Sequence, residues 1–588
     1  MRIVAQSTET TDWVSRFADE VIEESERRAP GAKDSGADAP VVVVASGLSP
    51  SGPIHLGNLR EVMTPHLVAD EIRRRGHTVR HLISWDDYDR YRKVPLGIPG
   101  VDDSWAEHIG KPLTSVPAPK GSAYPNWAEH FKAAMTAALA ELGVEYDGIS
   151  QTEQYTAGTY REQILFAMKH RGDIDAILDQ YRTKKAPAKK QQGQKPVDEA
   201  ELEAAEGSGA AAEDDGSSTS GYYPYKPYCG QCEKDLTTVT AYDDTTTELS
   251  YTCSACGFAE TVLLSEFNRG KLVWKVDWPM RWAYEGVVFE PSGVDHSSPG
   301  SSFQVGGQIV GLFGGKQPIG PMYAFVGISG MAKMSSSKGG VPTAADALQI
   351  MEPQLLRWLY ARRRPNQSFK IAFDQEIQRL YDEWDKLAGK VADGSVLPAD
   401  AAAYTRAVGT AAGDLPRTPR PMAYRTLASV ADITAGAEDQ TLRILSELDP
   451  ENPLASLDEV RPRLDKAETW INTQVPAEER TVVRDEPDVE LLKSLDDQGR
   501  ESLRLLLDGL ERNWSLDGLT HLVYGVPKVQ AGFPADATAK ELPAEIKVAQ
   551  RTFFARLYHL LVGRDTGPRL PTLLLAVGQD RVRKLLSA

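Results

Sequence analysis

The stretch that decides the fold reads VVVVASGLSPSGPIHLGN, residues 41–58. Its first six residues form a continuous apolar and small run, which predicts a buried strand from Val41 to Ser46. Leu59 to Arg75 follows with helical periodicity and ends at Gly76, and Thr78 to Trp85 predicts a second strand. A strand, a loop, a helix and another strand favour a parallel sheet with a ligand at the carboxyl ends of its strands.

Length and composition place this unit in a large multidomain chain. At 588 residues, the chain predicts about three to four domains. Hydrophobic residues at 41% and charged residues at 25% are ordinary for globular proteins. The sequence has no run of about 18 apolar residues, so no membrane span is predicted. The first twenty residues lack the pattern of a secretory signal, so we expect a cytoplasmic protein with no membrane contact.

The net charge of −17 argues against nucleic-acid binding only at first sight. Asp198 to Asp215 holds eight acidic residues and no basic one, so this one tract supplies almost half of the excess. The tract lies within Lys184 to Ser220. We predict that this segment and Arg27 to Pro40 are disordered linkers, because neither has enough apolar residues to offset the entropy cost of ordering. Global charge therefore excludes little.

The other segments carry clearer patterns. Trp127 to Leu142 and Tyr160 to Arg182 predict helices, and a β-rich segment with all the cysteines follows the second linker. From Ala344 onward a period of 3.6 residues dominates, which predicts a separate α-helical domain. Its predicted helices are Leu348 to Arg363, Gln375 to Val391, Tyr424 to Leu448, Val489 to Asn513 and Glu545 to Val562.

The loop from Gly47 to Asn58 carries the first candidate chemistry. Gly52 and Gly57 allow a ligand to approach the backbone closely, and the helix N-terminus offers N–H groups to a phosphate. His55 is then a donor to a phosphoryl oxygen. The GxGxxG fingerprint and the GxxxxGK[ST] P-loop are both absent, so this is a third kind of nucleotide site. The alternative is a tight Gly/Pro turn with a surface histidine.

The segment MAKMSSSKGG, residues 331–340, is the second candidate site. Lys333 and Lys338 stand among three hydroxyl groups and two glycines, a composition that predicts a loop able to close over a triphosphate. In phosphoryl and nucleotidyl transfer, positive charge and positioning do most of the catalytic work. Taken alone, the segment fits an ordinary surface loop better, and the first motif is what favours the nucleotide interpretation.

Together the two segments resemble the HIGH and KMSKS signatures of class I aminoacyl-tRNA synthetases. HLGN stands in place of HIGH, with Asn58 for the second histidine, and KMSSS stands in place of KMSKS, with Ser336 for the second lysine. Either Lys333 or Lys338 therefore reaches the phosphates. Within that class the chain resembles the class I lysyl-tRNA synthetases over most of its length, through SWDDYDR (84–90), WKVDWPMRW (274–282), EPSGVDH (290–296) and MEPQLLR (351–357).

The resemblance implies an α/β fold, in which a Rossmann-type parallel-sheet catalytic domain with a zinc-bearing insertion precedes an α-helical C-terminal domain. The domains it implies are an N-terminal helix and linker (1–40), the first catalytic half (41–183), a low-complexity insert (184–220), a zinc-ribbon-like insertion (221–270), the second catalytic half with the KMSSS loop (271–343) and an anticodon-binding domain (344–588). The reaction implied is the activation of lysine with ATP and Mg²⁺, followed by lysyl transfer to the terminal adenosine of tRNA(Lys). We expect a monomer.

The resemblance also implies site residues. The catalytic groups are His55, Asn58, Lys333 and Lys338. The predicted ATP contacts include three of these four residues: His55, Asn58 and Lys333. The others are Pro50, Ser51, Gly52, Gly57, Met334, Ser335, Ser336 and Ser337. Lysine is contacted by Gly47, Ser49, Asp86, Trp274 and His296.

Lysine itself dictates what such a pocket contains. Its carboxylate and two ammonium groups need polar partners at two places, and its four-carbon stem needs an apolar wall. Asp86, Asp87 and Asp89 at the end of the second strand can supply carboxylates, and Trp274 or Trp282 can supply the wall with a cation–π component. An acidic surface turn beside core tryptophans is the alternative.

The cysteines form one group. Cys229 and Cys232 stand two residues apart, as do Cys253 and Cys256, with 20 residues between the pairs. This spacing predicts a four-thiolate zinc site, and four protein ligands leave no position for water, so the zinc is structural. Four unrelated thiols are the alternative. The tyrosines of residues 222–228 suit base stacking beside this site, or form an ordinary exposed aromatic cluster.

Two rival functions stay open. Another class I enzyme such as a glutamyl-tRNA synthetase shares the first motif, but the segments around Trp274 to Trp282 and at Asp295 and His296 argue against it. A non-catalytic RNA-binding protein derived from a synthetase is the second rival. The presence of both ATP motifs argues against that reading.

Overall fold

The computed structural model describes residues 12–29, 40–182, 216–218, 221–297, 301–329, 340–538 and 542–587. The chain divides into two compact units. The first comprises residues 1–348, 353–372 and 387–415, and the second comprises 349–352, 373–386 and 416–588. Within the described parts, none of the helices combines the length and apolar character needed to cross a bilayer.

A three-stranded parallel sheet in the order β1-β2-β3 lies at the centre of the first unit, and it confirms the strand-helix-strand prediction. These strands are Val42–Leu48, Val79–Trp85 and Asp147–Ser150. On the free side of β1, parallel bridges join Val44 to Phe289 and Phe289 to Ile319. Because all of these segments run in one direction, the loops that follow them collect at one edge of the sheet.

The remaining strands are short or belong to the cysteine segment. They are β4 Ser217–Ser218, β5 Gly221–Tyr222, β6 Tyr225–Pro227, β7 Thr237–Tyr242, β8 Glu248–Cys253, β9 Ala259–Leu263, β10 Gly270–Leu272, β11 Ser292–Gly293, β12 Met322–Tyr323, β13 Val326–Ile328, β14 Phe369–Ile371, β15 Gly409–Thr410 and β16 Gly413–Asp414. Strands β7, β8 and β9 form an antiparallel sheet, as expected for the β-rich segment.

Helices surround the central sheet and make up most of the second unit. Those up to residue 408 are α1 Trp13–Arg28, α2 Leu56–Arg74, α3 Trp127–Glu141, α4 Gln151–Thr156, α5 Arg161–Lys169, α6 Arg171–Arg182, α7 Trp274–Glu285, α8 Val294–Ser297, α9 Ser302–Ile309, α10 Ala344–Ile350, α11 Pro353–Ala361, α12 Glu376–Ala392 and α13 Pro398–Val408. Those after it are α14 Tyr424–Thr434, α15 Glu438–Glu447, α16 Arg463–Gln474, α17 Val489–Ser494, α18 Asp497–Gly509, α19 Leu516–Gln530, α20 Ala544–Val562, α21 Leu570–Val577 and α22 Gln579–Leu586.

Several helices predicted as continuous are divided, for local reasons. The one predicted for 348–363 breaks at Glu352, because a residue before proline avoids the helical conformation and Pro353 starts α11. The one predicted for 424–448 breaks at Ala435 and Gly436, both left-handed. Residues 489–513 divide at Asp496, whose carboxylate caps α18.

Both predicted linkers begin or end inside ordered structure. Helix α1 continues to Arg28, whose guanidinium donates to the backbone carbonyls of Val287 at 2.7 Å and Gln317 at 2.8 Å. At the end of the second linker, Ser217 pairs with Tyr222 in a small antiparallel ladder. The prediction was wrong at these ends because hydrogen bonds to distant partners are invisible in composition. Most of both linkers lies outside the described residues.

The first unit extends well past Ala344, the predicted start of the helical domain. Arg357 on α11 is fully buried and donates to the carbonyls of Leu142 at 2.7 Å and Arg406 at 2.7 Å. The Trp13 indole donates to the carbonyl of Ala361 at 2.8 Å. These contacts place α11 and α13 with the central sheet rather than with the helices of the second unit. The division into domains stays a prediction.

Candidate functional site

His55 stands at the N-terminus of α2, directly after the β1 loop. It is the N-cap residue, and its Nδ1 accepts the backbone N–H of Gly57 at 3.0 Å. Burial lowers the pKa of His55 to about 4, so the ring is neutral near pH 7. Because Nδ1 is an acceptor, the ring hydrogen lies on Nε2. The arrangement therefore presents one neutral donor at a positive helix end, which is suited to a phosphate.

The segment after the second motif lies against this loop. The backbone N–H of Leu56 donates to the carbonyl of Pro342 at 3.1 Å, and His55 forms an isolated bridge with Thr343. The structure thus brings one flank of the predicted KMSSS loop to the HLGN motif. The loop residues Lys333, Met334, Ser335, Ser336, Ser337 and Lys338 lie outside the described residues, so the choice between the two lysines stays a prediction.

The other predicted ATP contacts surround His55 along the chain. Pro50 and Gly52 are buried, whereas Ser51 is exposed. Asn58 lies in the first turn of α2, where its backbone N–H donates to the His55 carbonyl at 2.9 Å. Their roles toward ATP stay predictions.

Gly47 and Asp86, predicted to contact lysine, lie together at the carboxyl end of the sheet. Gly47 pairs with Ser84 in the parallel ladder, and Asp86 follows directly after β2. A side chain at Gly47 would start 3.5 Å from Oε1 of Glu61 and 3.9 Å from Oδ2 of Asp86. Glycine therefore leaves a space here that two carboxylates border.

Glu61 on α2 is the residue that sequence reasoning missed. Its Oε1 accepts the Gly47 N–H at 3.1 Å, and its Oε2 accepts the Tyr323 hydroxyl at 2.9 Å. Burial raises the pKa of Glu61 to about 8, and Glu290 and Asp86 add repulsion. Within the described parts of the chain, no lysine or arginine pairs with it. The available signal was an acidic side chain among the apolar residues of a helix that follows a ligand loop.

Asp86, in contrast, has a cation of its own. Its Oδ1 lies 2.9 Å from Nη1 of Arg281, whose other terminal nitrogen lies 3.3 Å from Asp277. Burial raises the pKa of Asp86 to about 7, and the guanidinium opposes that rise. Asp86 therefore lies beside Gly47 as half of an ion pair, and its predicted contact with lysine stays a prediction.

The two neighbouring aspartates serve the scaffold. Asp87 accepts the Thr152 N–H at 2.9 Å and the Ser150 hydroxyl at 2.8 Å, so it ties β2 to the start of α4. Asp89 pairs with the ammonium of Lys271 at 2.5 Å. Both carboxylates are thus engaged by the protein itself.

An aromatic wall stands on α7 beside this network. Trp274 stacks on Trp278 with ring centroids 5.1 Å apart, and the His296 ring lies 6.3 Å from Trp274. Trp282, the other candidate wall, is fully buried and donates to Glu290 at 2.6 Å. The structure therefore groups Trp274 with His296, while Ser49 is exposed.

Comparisons with known proteins identify the family of this chain. A family model described as "tRNA synthetases class I (K)" matches residues 11–412. The chain belongs to this family. Lysine--tRNA ligase from Streptomyces coelicolor is 86% identical over 587 residues and 100% of both chains. Lysine--tRNA ligase from Thermococcus kodakarensis is 32% identical over 98% of this chain and 99% of that protein.

Solved structures are more distant from this class I synthetase. A glutamate tRNA ligase from Elizabethkingia meningosepticum, in complex with its amino acid, aligns with 93% of this chain and 99% of its own at 12% identity. The TM-score is 0.40, a likeness too weak to inform the fold.

The cysteines of this synthetase converge between β6 and β9. Cys229 and Cys256 have sulfur atoms 3.6 Å apart, those of Cys232 and Cys253 are 3.7 Å apart, and all four lie within 4.8 Å of one another. All are free thiols. A tetrahedral ion with Zn–S bonds of about 2.3 Å separates its sulfur atoms by about 3.8 Å, so the four thiols fit a zinc ion.

The tyrosines beside this site do not form an exposed cluster. Tyr222, Tyr225 and Tyr228 are buried, and the Tyr228 hydroxyl donates to the carbonyl of Tyr88 at 2.5 Å. They belong to the hydrophobic core that joins the cysteine segment to α4–α6 and α7. The prediction that bases stack on these three rings is therefore wrong, because the insertion packs against the catalytic unit and covers the rings.

Proposed function

We propose that this chain is a lysine–tRNA ligase of the class I type, an enzyme that joins lysine to tRNA with ATP. The 86% identity with a lysine--tRNA ligase over the whole chain carries the proposal. The buried carboxylates at the sheet edge also support the proposal, because they favour a positively charged substrate.

Those charges leave the pocket short of cations. The carboxylates Glu61, Asp86, Asp89, Asp277 and Glu290 are buried at or near the sheet edge, where the ion-pairing cations are Lys271 and Arg281. Buried charges without partners are costly, so such a site favours a ligand that brings positive charge. Lysine brings two ammonium groups.

The position of Glu61 suggests a partner for the side-chain ammonium of lysine. Its oxygens border the space above Gly47, and it has only neutral donors, namely the Gly47 N–H and the Tyr323 hydroxyl. We therefore place the side-chain ammonium of lysine against Glu61. Trp274 and His296 line the aliphatic stem, Gly47 and Asp86 border the ammonium beside Glu61, and Ser49 lies toward the amino-acid end.

Chemistry then follows from the HLGN end of the sheet. The lysine carboxylate attacks the α-phosphorus of ATP, pyrophosphate leaves, and the terminal adenosine of tRNA attacks the acyl carbon of the adenylate. His55 donates through Nε2, and the amide of Asn58 and the ammonium groups of Lys333 and Lys338 offset phosphate charge. Mg²⁺ accompanies ATP and adds positive charge on its phosphates. Pro50, Ser51, Gly52 and Gly57 let the nucleotide approach the backbone.

Zinc, quaternary state and location complete the proposal. Cys229, Cys232, Cys253 and Cys256 hold one structural zinc ion. The helices after residue 416 bind the anticodon end of tRNA(Lys), and the protein is a cytoplasmic monomer. Among the rivals, a glutamyl enzyme is disfavoured because its substrate would set a carboxylate against Glu61.

A charging assay tests the substrate directly. The full-length protein, total tRNA and ATP are incubated with each of the twenty amino acids, and esterified amino acid is measured. We expect lysine to be charged and glutamate not, because the pocket repels a second anion. Charging of glutamate without lysine would overturn the assignment.

A further inference from the structure

Arg281 joins several of the residues that surround the amino-acid pocket. Its side chain is 8% exposed and pairs with Asp86 at 2.9 Å and with Asp277 at 3.3 Å. The same Nη1 donates to the Ser84 hydroxyl, and Cζ lies 5.3 Å from the Trp274 ring centroid. One cation thus contacts the end of β2, two carboxylates and the aromatic wall.

These contacts give two adjacent carboxylates different characters. Oδ2 of Asp86 and Oε1 of Glu61 both border the space at Gly47. Asp86 is balanced by Arg281, whereas Glu61 receives only neutral donors. An incoming ammonium is therefore drawn to Glu61, since an opposite charge already stabilises Asp86.

We propose that Arg281 is a positioning residue for substrate selection: by neutralising Asp86 and bracing Trp274, it leaves Glu61, of the two carboxylates that border Gly47, as the partner for a side-chain ammonium. This inference rests on the proposed lysine ligase function and deepens it. A single ammonium partner fixes the distance between the charged end and the reacting carboxylate, so Arg281 sets the length of side chain that the enzyme accepts. Loss of the guanidinium would create a second ammonium site at Asp86, at a different distance.

The test compares lysine with ornithine, which is one methylene shorter. Steady-state aminoacylation is measured for the wild type, Arg281→Gln and Arg281→Lys. In Arg281→Gln we expect KM for lysine to rise about tenfold or more, because a buried pair has lost one partner. We expect kcat to change less, and the preference for lysine over ornithine to fall by about tenfold. Arg281→Lys keeps a cation and should recover most of that preference.

Two further variants separate positioning from folding. In Arg281→Gln/Asp86→Asn the second ammonium site is removed again, so we expect the preference for lysine to return toward wild type. Arg16→Gln on α1, which removes an exposed ion pair with Glu20, is the control and should change neither constant. Thermal unfolding of each variant is recorded beside the kinetics.

The outcomes are distinct. A parallel loss of lysine and ornithine charging in Arg281→Gln, unrelieved by Asp86→Asn, would overturn the proposal and leave Arg281 a purely structural residue. If Arg281→Gln does not fold, Arg281→Lys decides: a small fall in the preference for lysine over ornithine supports positioning, and an unchanged preference with weakened folding refutes it. Failure of the wild type to charge lysine would instead overturn the proposed function.

Discussion

Buried carboxylates at the sheet edge differ in what balances their charge, and that difference decides their roles. Asp89 and Asp86 each face a protein cation, whereas among the described residues Glu61 accepts from the Gly47 N–H and the Tyr323 hydroxyl and pairs with no cation. Desolvation therefore raises the pKa of Glu61 to about 8, above its ordinary value of 4.5. Near pH 7 this carboxyl is mostly protonated until a cation arrives.

Lysine binding should therefore release a proton. An ammonium beside Glu61 favours the carboxylate, so about one proton leaves on binding at pH 7, and lysine affinity rises as pH increases toward 8. Calorimetry in phosphate and in Tris buffer at pH 7 measures the release as a difference in binding enthalpy. Glu61→Gln should abolish it, and Glu107→Gln, an exposed carboxylate, should not. Equal enthalpies for the wild type in both buffers would contradict the assignment.

At the scale of elements, the cysteine sheet depends on its four thiols. Strands β7, β8 and β9 form a small sheet whose β9 is mostly exposed. The two cysteine pairs hold the loop before β7 to the turn after β8. A sheet of this size buries little apolar surface, so a metal ion is expected to supply a large part of its stability.

Removal of metal should therefore loosen this segment selectively. We expect about one zinc ion per chain by elemental analysis, and Cys232→Ser should lose it while Ser254→Ala, a neighbouring control, keeps it. Hydrogen exchange should then increase over residues 229–263 and change little in the central sheet. Purified wild-type protein without zinc, with all four thiols freely reactive while folded, would show that no such site exists.

At the scale of the whole molecule, the first compact unit is discontinuous in sequence. Arg357, fully buried, donates to carbonyls of Leu142 and Arg406, and its Nη1 lies 2.9 Å from Nε2 of His66. Residues 353–372 and 387–415 thus complete the unit built around the central sheet. A chain ending before them would leave the Leu142 carbonyl without its Arg357 donor and the Trp13 indole without its acceptor, each at a cost of about 1–3 kcal/mol.

Two truncations test this extent. A chain ending at Ala344 lacks Arg357 and the carbonyl partner of Trp13, so we expect it to aggregate or to unfold without cooperativity. A chain ending at Leu415 keeps both and should unfold cooperatively in urea, with near-UV circular dichroism like that of a packed protein. Cooperative unfolding of both chains would show that α11 and α13 are dispensable for the first unit.

Sequence patterns alone predicted the strand-loop-helix-strand unit, the β-rich cysteine segment and the turn that carries His55. Each depends on a local signal: the run at 41–46, the spacing of the cysteines, and the glycines around His55. The paired cysteines predicted a zinc site for the same reason, because the ligands of a closed tetrahedral site stand near one another in the chain.

Only the tertiary structure decided which carboxylate stays unbalanced and where the first unit ends. Asp86 was a candidate ammonium ligand in sequence and Glu61 was not, and Arg281, which balances Asp86, is 195 residues from it in the chain. Arg357 likewise reaches Leu142 across 215 residues. The energy of a buried charge depends on its neighbours in space, and the chain brings those neighbours from helices that sequence patterns describe only one at a time.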